Sequence, residues 1–249
     1  KILQKNLEIK SEGLAKVNME LKNKNENLEQ FAYVASHDLQ EPLRMIHSFM
    51  ELLEQKYGPK LDDKARKYID FAVKGSKRMR EIIIELLNFS KADEFTEERT
   101  KIDLNLLLNE ILILHQKKIE EKDAFISVQY LPDISFYKTP LHLIFNNLIS
   151  NALKYGKKNY PLKITIKYKN ENNFHCFEIE DNGIGIPDDQ KEKIFNMFQR
   201  FAFENEPNGT GMGLAIVKKI VNKLNGEISV SSLEGDGTTF TVKLPVLIN

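Results

Sequence analysis

The 249-residue chain has one cysteine, Cys176, so no disulfide can form within it, which fits a reducing compartment. It has no excess charge of either sign, with 36 Lys plus Arg against 36 Asp plus Glu. That balance gives no electrostatic case for nucleic acid as the partner. Its longest apolar runs, such as IIIELL at 82–87, are far short of the roughly 20 residues of a membrane span. No secretory leader, internal repeat or low-complexity tract is visible. The phosphate-binding P-loop and the GxGxxG dinucleotide fingerprint are both missing. There is no initiating methionine, and the chain opening at Lys1 is expected to be a piece of something longer.

Hydrophobic residues make up 41%, enough for a real core. Residues 1 to about 92 carry helical patterns and little else. Leu3, Leu7, Leu14, Val17, Leu21, Leu28 and Phe31 alternate spacings of four and three, with Lys10 and Lys24 in the gaps. This is a weakened heptad seam, and residues 1–30 are predicted to be a coiled-coil signalling helix. Leu39, Leu43, Ile46, Met50 and Leu53 continue the pattern to YGPKLDD, a Gly-Pro breaker with an Asp cap. Ala65, Ile69, Ala72, Ser76, Met79, Ile83, Leu86 and Ser90 then define a second long helix. Residues 31–92 thus read as a helical hairpin whose apolar face exceeds what one copy can cover, so two copies in a four-helix bundle are expected.

Residues 93–103 are polar and read as a linker. Beyond them, helical stretches at 104–122, 139–156 and 211–225 alternate with the strand patterns AFISVQY, LKITIKY, FHCFEIE, GEISVSS and GTTFTVKLPV. The fold class is therefore α plus α/β, a hairpin domain followed by an α/β sandwich over 104–249.

Four segments of the second domain carry chemistry. In FNNLISNALKYG, Asn147, Asn151 and Lys154 fall within roughly 60° on one helix face. Amide oxygens are hard, neutral ligands suited to Mg²⁺, although an ordinary polar face reads the same way. In EIEDNGIGIP, Asp181 with Gly183 and Gly185 is either a hairpin turn or a carboxylate acceptor beside a loop that lets backbone approach a ring. In NGTGMGLAIVKKI, Gly209, Gly211 and Gly213 open into an apolar helix, as a flexible turn or as an anion-binding helix start. In KIFNMFQRF, Phe195, Phe198 and Phe201 recur every three residues, as a core face or the base of a lid over a ligand.

Each is ambiguous alone, but their order and spacing resemble the N, G1, F and G2 boxes of the ATP-binding domain of sensor histidine kinases. That fold is shared with type II topoisomerases, heat-shock chaperone ATPases and mismatch-repair ATPases. Upstream, SHDLQEPLRMI resembles the H box of the same kinases, in the form found in phytochrome-type members. The resemblance implies ATP and Mg²⁺ as cofactors, His37 as phosphoacceptor and Asp38 as the acid that orients or deprotonates its ring. It also gives Pro42 a purpose, a bend that opens the helix beside His37. It further implies that Asn151, assisted by Asn147, ligates Mg²⁺. Lys154 and Arg200 face the phosphates, Tyr155 flanks the adenine and Asp181 reads its amino group. Gly183 and Gly185 border the ring, and Phe198 lies at the F box. Gly209, Thr210, Gly211, Met212, Gly213 and Leu214 wrap the phosphates. The implied partners are a second copy of the chain, an upstream sensor domain and a response-regulator receiver domain, with no nucleic acid. The implied location is the cytoplasm, including the cytoplasmic part of a membrane-attached receptor.

The chain departs from the family twice. Glu41 stands where Thr or Asn usually orients water for dephosphorylating the partner. An ionised carboxylate has no hydrogen to donate, so strong phosphatase activity is not expected. The aspartate often found before the N-box helix is absent, and Thr139 with Pro140 is expected to start that helix instead. His47, His115, His142 and His175 are read as packing or surface residues, and Cys176 as a small buried one. Two competing readings keep the fold but change the activity: a conformational ATPase that clamps a partner, and a nucleotide-binding scaffold without turnover.

Overall fold

The structure, a computed structural model, describes residues 2–91, 98–157, 160–199 and 209–246. Within the first helix the side chains of His37 and several neighbours lie outside the described set. The chain divides into two units, 1–90 and 91–249.

In the first unit, α1 (Ile2–Tyr57) runs through Pro42 as one helix. A short 3-10 turn at Gly58–Lys60 follows, then α2 (Asp63–Lys91). Asp62 starts α2 by accepting the Ala65 N–H at 2.7 Å, as the sequence pattern predicts. At 100° per residue, Ser36, Leu43, His47 and Met50 share an arc of roughly 60° on α1, and all four are buried or half-buried. The buried residues of α2 are Ile69, Ser76, Ile83 and Ser90. His47 bridges the two helices, with Nδ1 3.1 Å from the Ser76 hydroxyl and Nε2 3.2 Å from Glu51. Among the described residues of this unit, only Leu43, Ile69 and Ile83 are buried large aliphatics. Leu39, Ile46, Phe49 and Leu53 form a second arc of about 80° on α1 and are exposed. Tyr68, Phe71 and Met79 on α2 are exposed too. No described helix is long and apolar enough to cross a membrane.

The second unit opens with β1 (Thr100–Asp103), α3 (Leu104–Leu114), α4 (Gln116–Glu121), β2 (Phe125–Val128) and β3 (Asp133–Phe136). Then come α5 (Lys138–Lys154), β4 (Lys163–Glu171), β5 (Phe174–Asp181), α6 (Gly213–Lys223), β6 (Glu227–Leu233) and β7 (Gly237–Pro245). β1 and β3 pair antiparallel as a small separate ribbon. The main sheet has the order β2-β4-β5-β7-β6, antiparallel except for the β2–β4 pair. All five strand patterns lie in this sheet. The ribbon escapes sequence analysis: TKID reads as linker, yet Thr100–Asp103 is a strand whose last residue also caps α3, accepting N–H bonds from Asn105 and Leu106. The helical pattern over 104–122 breaks at His115 into two helices. Thr139 does not cap α5; the cap position is Tyr137, and Pro140 is buried in the first turn.

The period of two along each strand aligns Ile166, Ile179 and Phe240 across the sheet, and Tyr168, Phe177 and Val242 one step further. Against this face lie the buried sides of α5 and α6, with Phe145 edge-on to Phe177 at 5.2 Å between ring centres. The same alternation, Phe177, Ile179, Asp181, carries a carboxylate to the last position of the core row.

Candidate functional site

Asp181 ends β5, and the chain leaves the sheet there. The next strand, β6, is not a neighbour of β5, so Asp181-Asn182-Gly183 is no hairpin turn. Asp181 is about nine-tenths buried. Its Oδ1 accepts the Gly183 N–H at 2.8 Å. Burial pushes its carboxyl up to about 6, against the pull of nearby backbone N–H groups. Asn182 pins the loop, accepting from Lys163 N at 2.8 Å and donating to the Pro161 carbonyl at 3.0 Å. Gly185 has φ +73°, a conformation open to glycine, and a Cβ there would overlap the Leu233 carbonyl oxygen. Gly183 lies against the Tyr155 carbonyl and the Asp181 carboxylate.

The N-box helix meets the glycine loop at two points. A Cβ on Gly213, the first residue of α6, would stand 2.7 Å from Asn147 Oδ1, and a Cβ on Gly209 would collide with Lys154 Nζ. Asn147 is oriented by donating Nδ2–H to the Leu143 carbonyl at 2.8 Å, which leaves its oxygen toward Gly213. The Asn151 amide has no hydrogen-bond partner among the described residues. Lys154 Nζ donates to the Tyr155 hydroxyl at 2.7 Å and lies 4.4 Å from that ring's centre. Tyr155 is joined to the Asp181 loop by the Ile184 N–H, which donates to the Tyr155 carbonyl at 3.0 Å. Thr210 and Met212 are buried, with Thr210 Oγ1 accepting the Met212 N–H at 3.3 Å; Gly211 has φ +79° and Leu214 is half-buried. Phe198 is exposed at φ +61°, and Arg200 and Phe201 lie outside the described residues.

Sequence reasoning passed over the supports of this site. His115 Nε2 lies 2.9 Å from Asn146 Oδ1, one residue before Asn147, and burial lowers its pKa against the pull of that bond. Lys122 caps the end of α5 by donating to the Lys154 carbonyl at 3.1 Å. The only available signal was residue type, because the contacts span 31 and 32 positions.

Asp181 offers a buried acceptor, and the Asn147 amide oxygen and Lys154 ammonium meet a glycine-rich helix start, where backbone N–H groups favour anions. Among the described residues no cluster of three His, Cys, Asp or Glu side chains could hold a metal. An ion here would combine amide oxygens with the ligand's own phosphates, the usual habit of Mg²⁺.

On α1, Asp38 is exposed directly after His37. Glu41 accepts two hydrogen bonds from Arg44, at 3.2 Å from Nε and 2.8 Å from Nη2, and these hold its carboxyl below the usual range. Glu41 is therefore ionised at neutral pH.

A helical hairpin is followed along the chain by an α/β sandwich, and comparison with known proteins matches each part. A family model described as the His Kinase A (phospho-acceptor) domain matches residues 27–95. A second, described as histidine kinase-, DNA gyrase B- and HSP90-like ATPase, matches residues 137–248. Phytochrome-like protein Cph1 of Synechocystis is 38% identical over 236 residues, covering 95% of this chain and 31% of its own length. The chain thus spans about a third of that relative. Full-length ShkA, solved with AMPPNP, superposes with TM-score 0.67 at 23% identity over 88% of this chain and 46% of its own. ThkA, solved in complex with response regulator protein TrrA, does so with TM-score 0.58 at 23% identity, over 86% of this chain and 61% of its own. The chain belongs to the sensor histidine kinases, with a phosphoacceptor domain followed by an ATP-binding domain.

Proposed function

We propose that this chain transfers the γ-phosphoryl group of ATP to His37 and then to an aspartate of a response-regulator receiver domain. The observation that carries the reading is the meeting of Asn147 with Gly213 and Lys154 with Gly209, beside a buried Asp181. Asp181 accepts a hydrogen bond from the adenine amino group, and Tyr155 flanks the ring. Gly209, Thr210, Gly211, Met212, Gly213 and Leu214 surround the phosphates at the start of α6, with Lys154 and Arg200 adding positive charge. Asn151, assisted by Asn147, would hold Mg²⁺, which would supply neutralisation of phosphate charge. One ring nitrogen of His37 bonds to the γ-phosphorus while the bridging P–O bond breaks, and its electron pair leaves with ADP. Asp38 takes the proton from the other ring nitrogen or holds it by a hydrogen bond, so the attacking nitrogen stays a neutral nucleophile.

Incubation with γ-labelled ATP and Mg²⁺ tests this. The label is expected to be acid-labile, base-stable and absent from His37→Gln. Label persisting in His37→Gln would place the acceptor elsewhere. ATP bound tightly without label would support a scaffold, and rapid hydrolysis undiminished by the substitution would support a conformational ATPase.

The exposed arc of Leu39, Ile46, Phe49 and Leu53 supports a homodimer through the hairpin, extended by a coiled coil over 1–30 that receives a signal from an upstream sensor domain. Ile46→Glu is expected to halve the solution mass measured by light scattering. An unchanged mass would remove this arc from the interface. A need for ATP supports a cytoplasmic location, including the cytoplasmic part of a membrane-attached receptor. With Glu41 ionised and held by Arg44, dephosphorylation of the receiver domain is expected to be weak.

A further inference from the structure

One row of the sheet ends in three polar side chains. Asp181 on β5 is directly opposite Thr238 on β7, and Thr238 is opposite Ser232 on β6. All three belong to the face that holds the core. The Ser232 hydroxyl has one hydrogen and two lone pairs, and the fold uses all of them. Its hydrogen goes to the Gly237 carbonyl at 2.6 Å. Its lone pairs accept the Ile186 N–H at 2.8 Å and the Thr238 hydroxyl at 3.0 Å, whose hydrogen points to Ser232 because the serine's own is committed.

Ser232 therefore joins two pieces of backbone that are far apart in sequence. Ile186 lies on the loop that begins at Asp181 and carries Gly183 and Gly185. Gly237 and Thr238 begin β7, where Thr238 is directly opposite Asp181, and the loop carries the Gly183 N–H that donates to the Asp181 carboxylate at 2.8 Å. The turn between β6 and β7 is tied to the same loop by the Gly235 N–H, which donates to the Ile184 carbonyl at 2.8 Å. A shift of the loop moves the Gly183 N–H off Asp181 and displaces the glycines that border the ring.

We propose that Ser232 is a positioning residue for the base-recognition end of the nucleotide site, and that it sets the preference for a 6-amino over a 6-oxo purine. The inference rests on the reading of the Asp181 pocket as an adenine site. An ionised Asp181 with the Gly183 N–H on it is purely an acceptor, which matches an amino group and repels a carbonyl oxygen. A carboxyl that loses the Gly183 N–H takes up a proton more easily. It can then turn an O–H toward a 6-oxo group, and the discrimination weakens.

The test is the affinity of the whole chain for ATP and for GTP, each with Mg²⁺, by competition against a fluorescent ATP analogue at pH 7.5. Ser232→Ala is expected to weaken ATP by roughly tenfold and to shrink the ATP-to-GTP ratio at least about fivefold, the scale of one lost buried hydrogen bond. Ser232→Thr keeps the hydroxyl and is expected to restore the ratio. Thr238→Val keeps the backbone donor but removes the hydroxyl; it is expected to shrink the ratio less, and it stands in if the alanine variant does not fold. An unchanged ratio in both Ser232→Ala and Thr238→Val, or equal weakening of ATP and GTP, overturns the proposal. Wild-type chain that binds neither nucleotide overturns the adenine-site reading itself, and the role of Ser232 with it.

Discussion

Asp181→Asn is expected to abolish ATP binding and, in the absence of nucleotide, to make the ATP-binding domain more stable. The folded carboxyl is raised from 3.8 to about 6 by burial. A group whose folded pKa lies above its unfolded value binds more protons when folded, so stability falls as pH rises from about 4 to about 6. Above that window the ionised carboxylate costs about 3 kcal/mol, at 1.4 kcal/mol per pH unit. Asparagine keeps an oxygen for the Gly183 donor and removes the charge. Its NH₂ group then lacks an assured partner, which offsets about 1 kcal/mol. The net gain expected at pH 8 is roughly 2 kcal/mol, and it should vanish near pH 4, where folded wild-type Asp181 is protonated and the small remaining penalty no longer exceeds the amide's loss. Melting curves of the two proteins at pH 8, 6 and 4 check this. A variant less stable than wild type at pH 8 would mean the burial penalty is not there. For ATP, the neutral amide removes the charged acceptor, and the affinity should drop at least about 100-fold. The site thus gives up stability for recognition, as functional sites commonly do.

Gly185→Ala carries the second large effect, on folding. A side chain at φ +73° costs about 1–2 kcal/mol by itself. Its Cβ would also overlap the Leu233 carbonyl oxygen and stand 2.9 Å from the Glu234 Cα. These are backbone atoms that cannot rotate away, so the total expected is at least about 3 kcal/mol. Gly235 supplies the control, with φ +86° but nothing within 4 Å of a Cβ. Gly235→Ala should lose the strain term alone. Urea unfolding of the two variants separates the contributions, and equal losses would show that the overlap at Gly185 relaxes freely. The displaced loop carries Ile184 and Ile186, so Gly185→Ala should also weaken ATP by tenfold or more.

The motifs of the nucleotide site were legible because each is local. Asn147, Asn151 and Lys154 share a helix face through a period fixed by backbone geometry, and the glycines announce themselves by type. The five strands of the main sheet were legible for the same reason, a period of two over seven to ten residues. The ribbon of TKID with DISF was not, because four-residue strands carry too few alternations, and the charges in TKID read as linker. The hairpin-turn alternative at Asp181-Asn182-Gly183 could not be dismissed from residue types. Only the strand order, with β7 rather than β6 beside β5, removes it.

What the sequence determined by itself is the period of each element, the residue types placed on each face and the order of the boxes along the chain. These depend on neighbours a few positions away, and local geometry enforces them. The tertiary structure decided which of those faces meet. It brought Asn147 to Gly213 and Lys154 to Gly209, buried Asp181 deeply enough to raise its pKa, and set Ser232 across the sheet from Thr238. Such contacts join segments tens of residues apart, and no local pattern encodes a hydroxyl's choice among three partners. That choice follows from strand register, which the packing of the whole core against α5 and α6 selects.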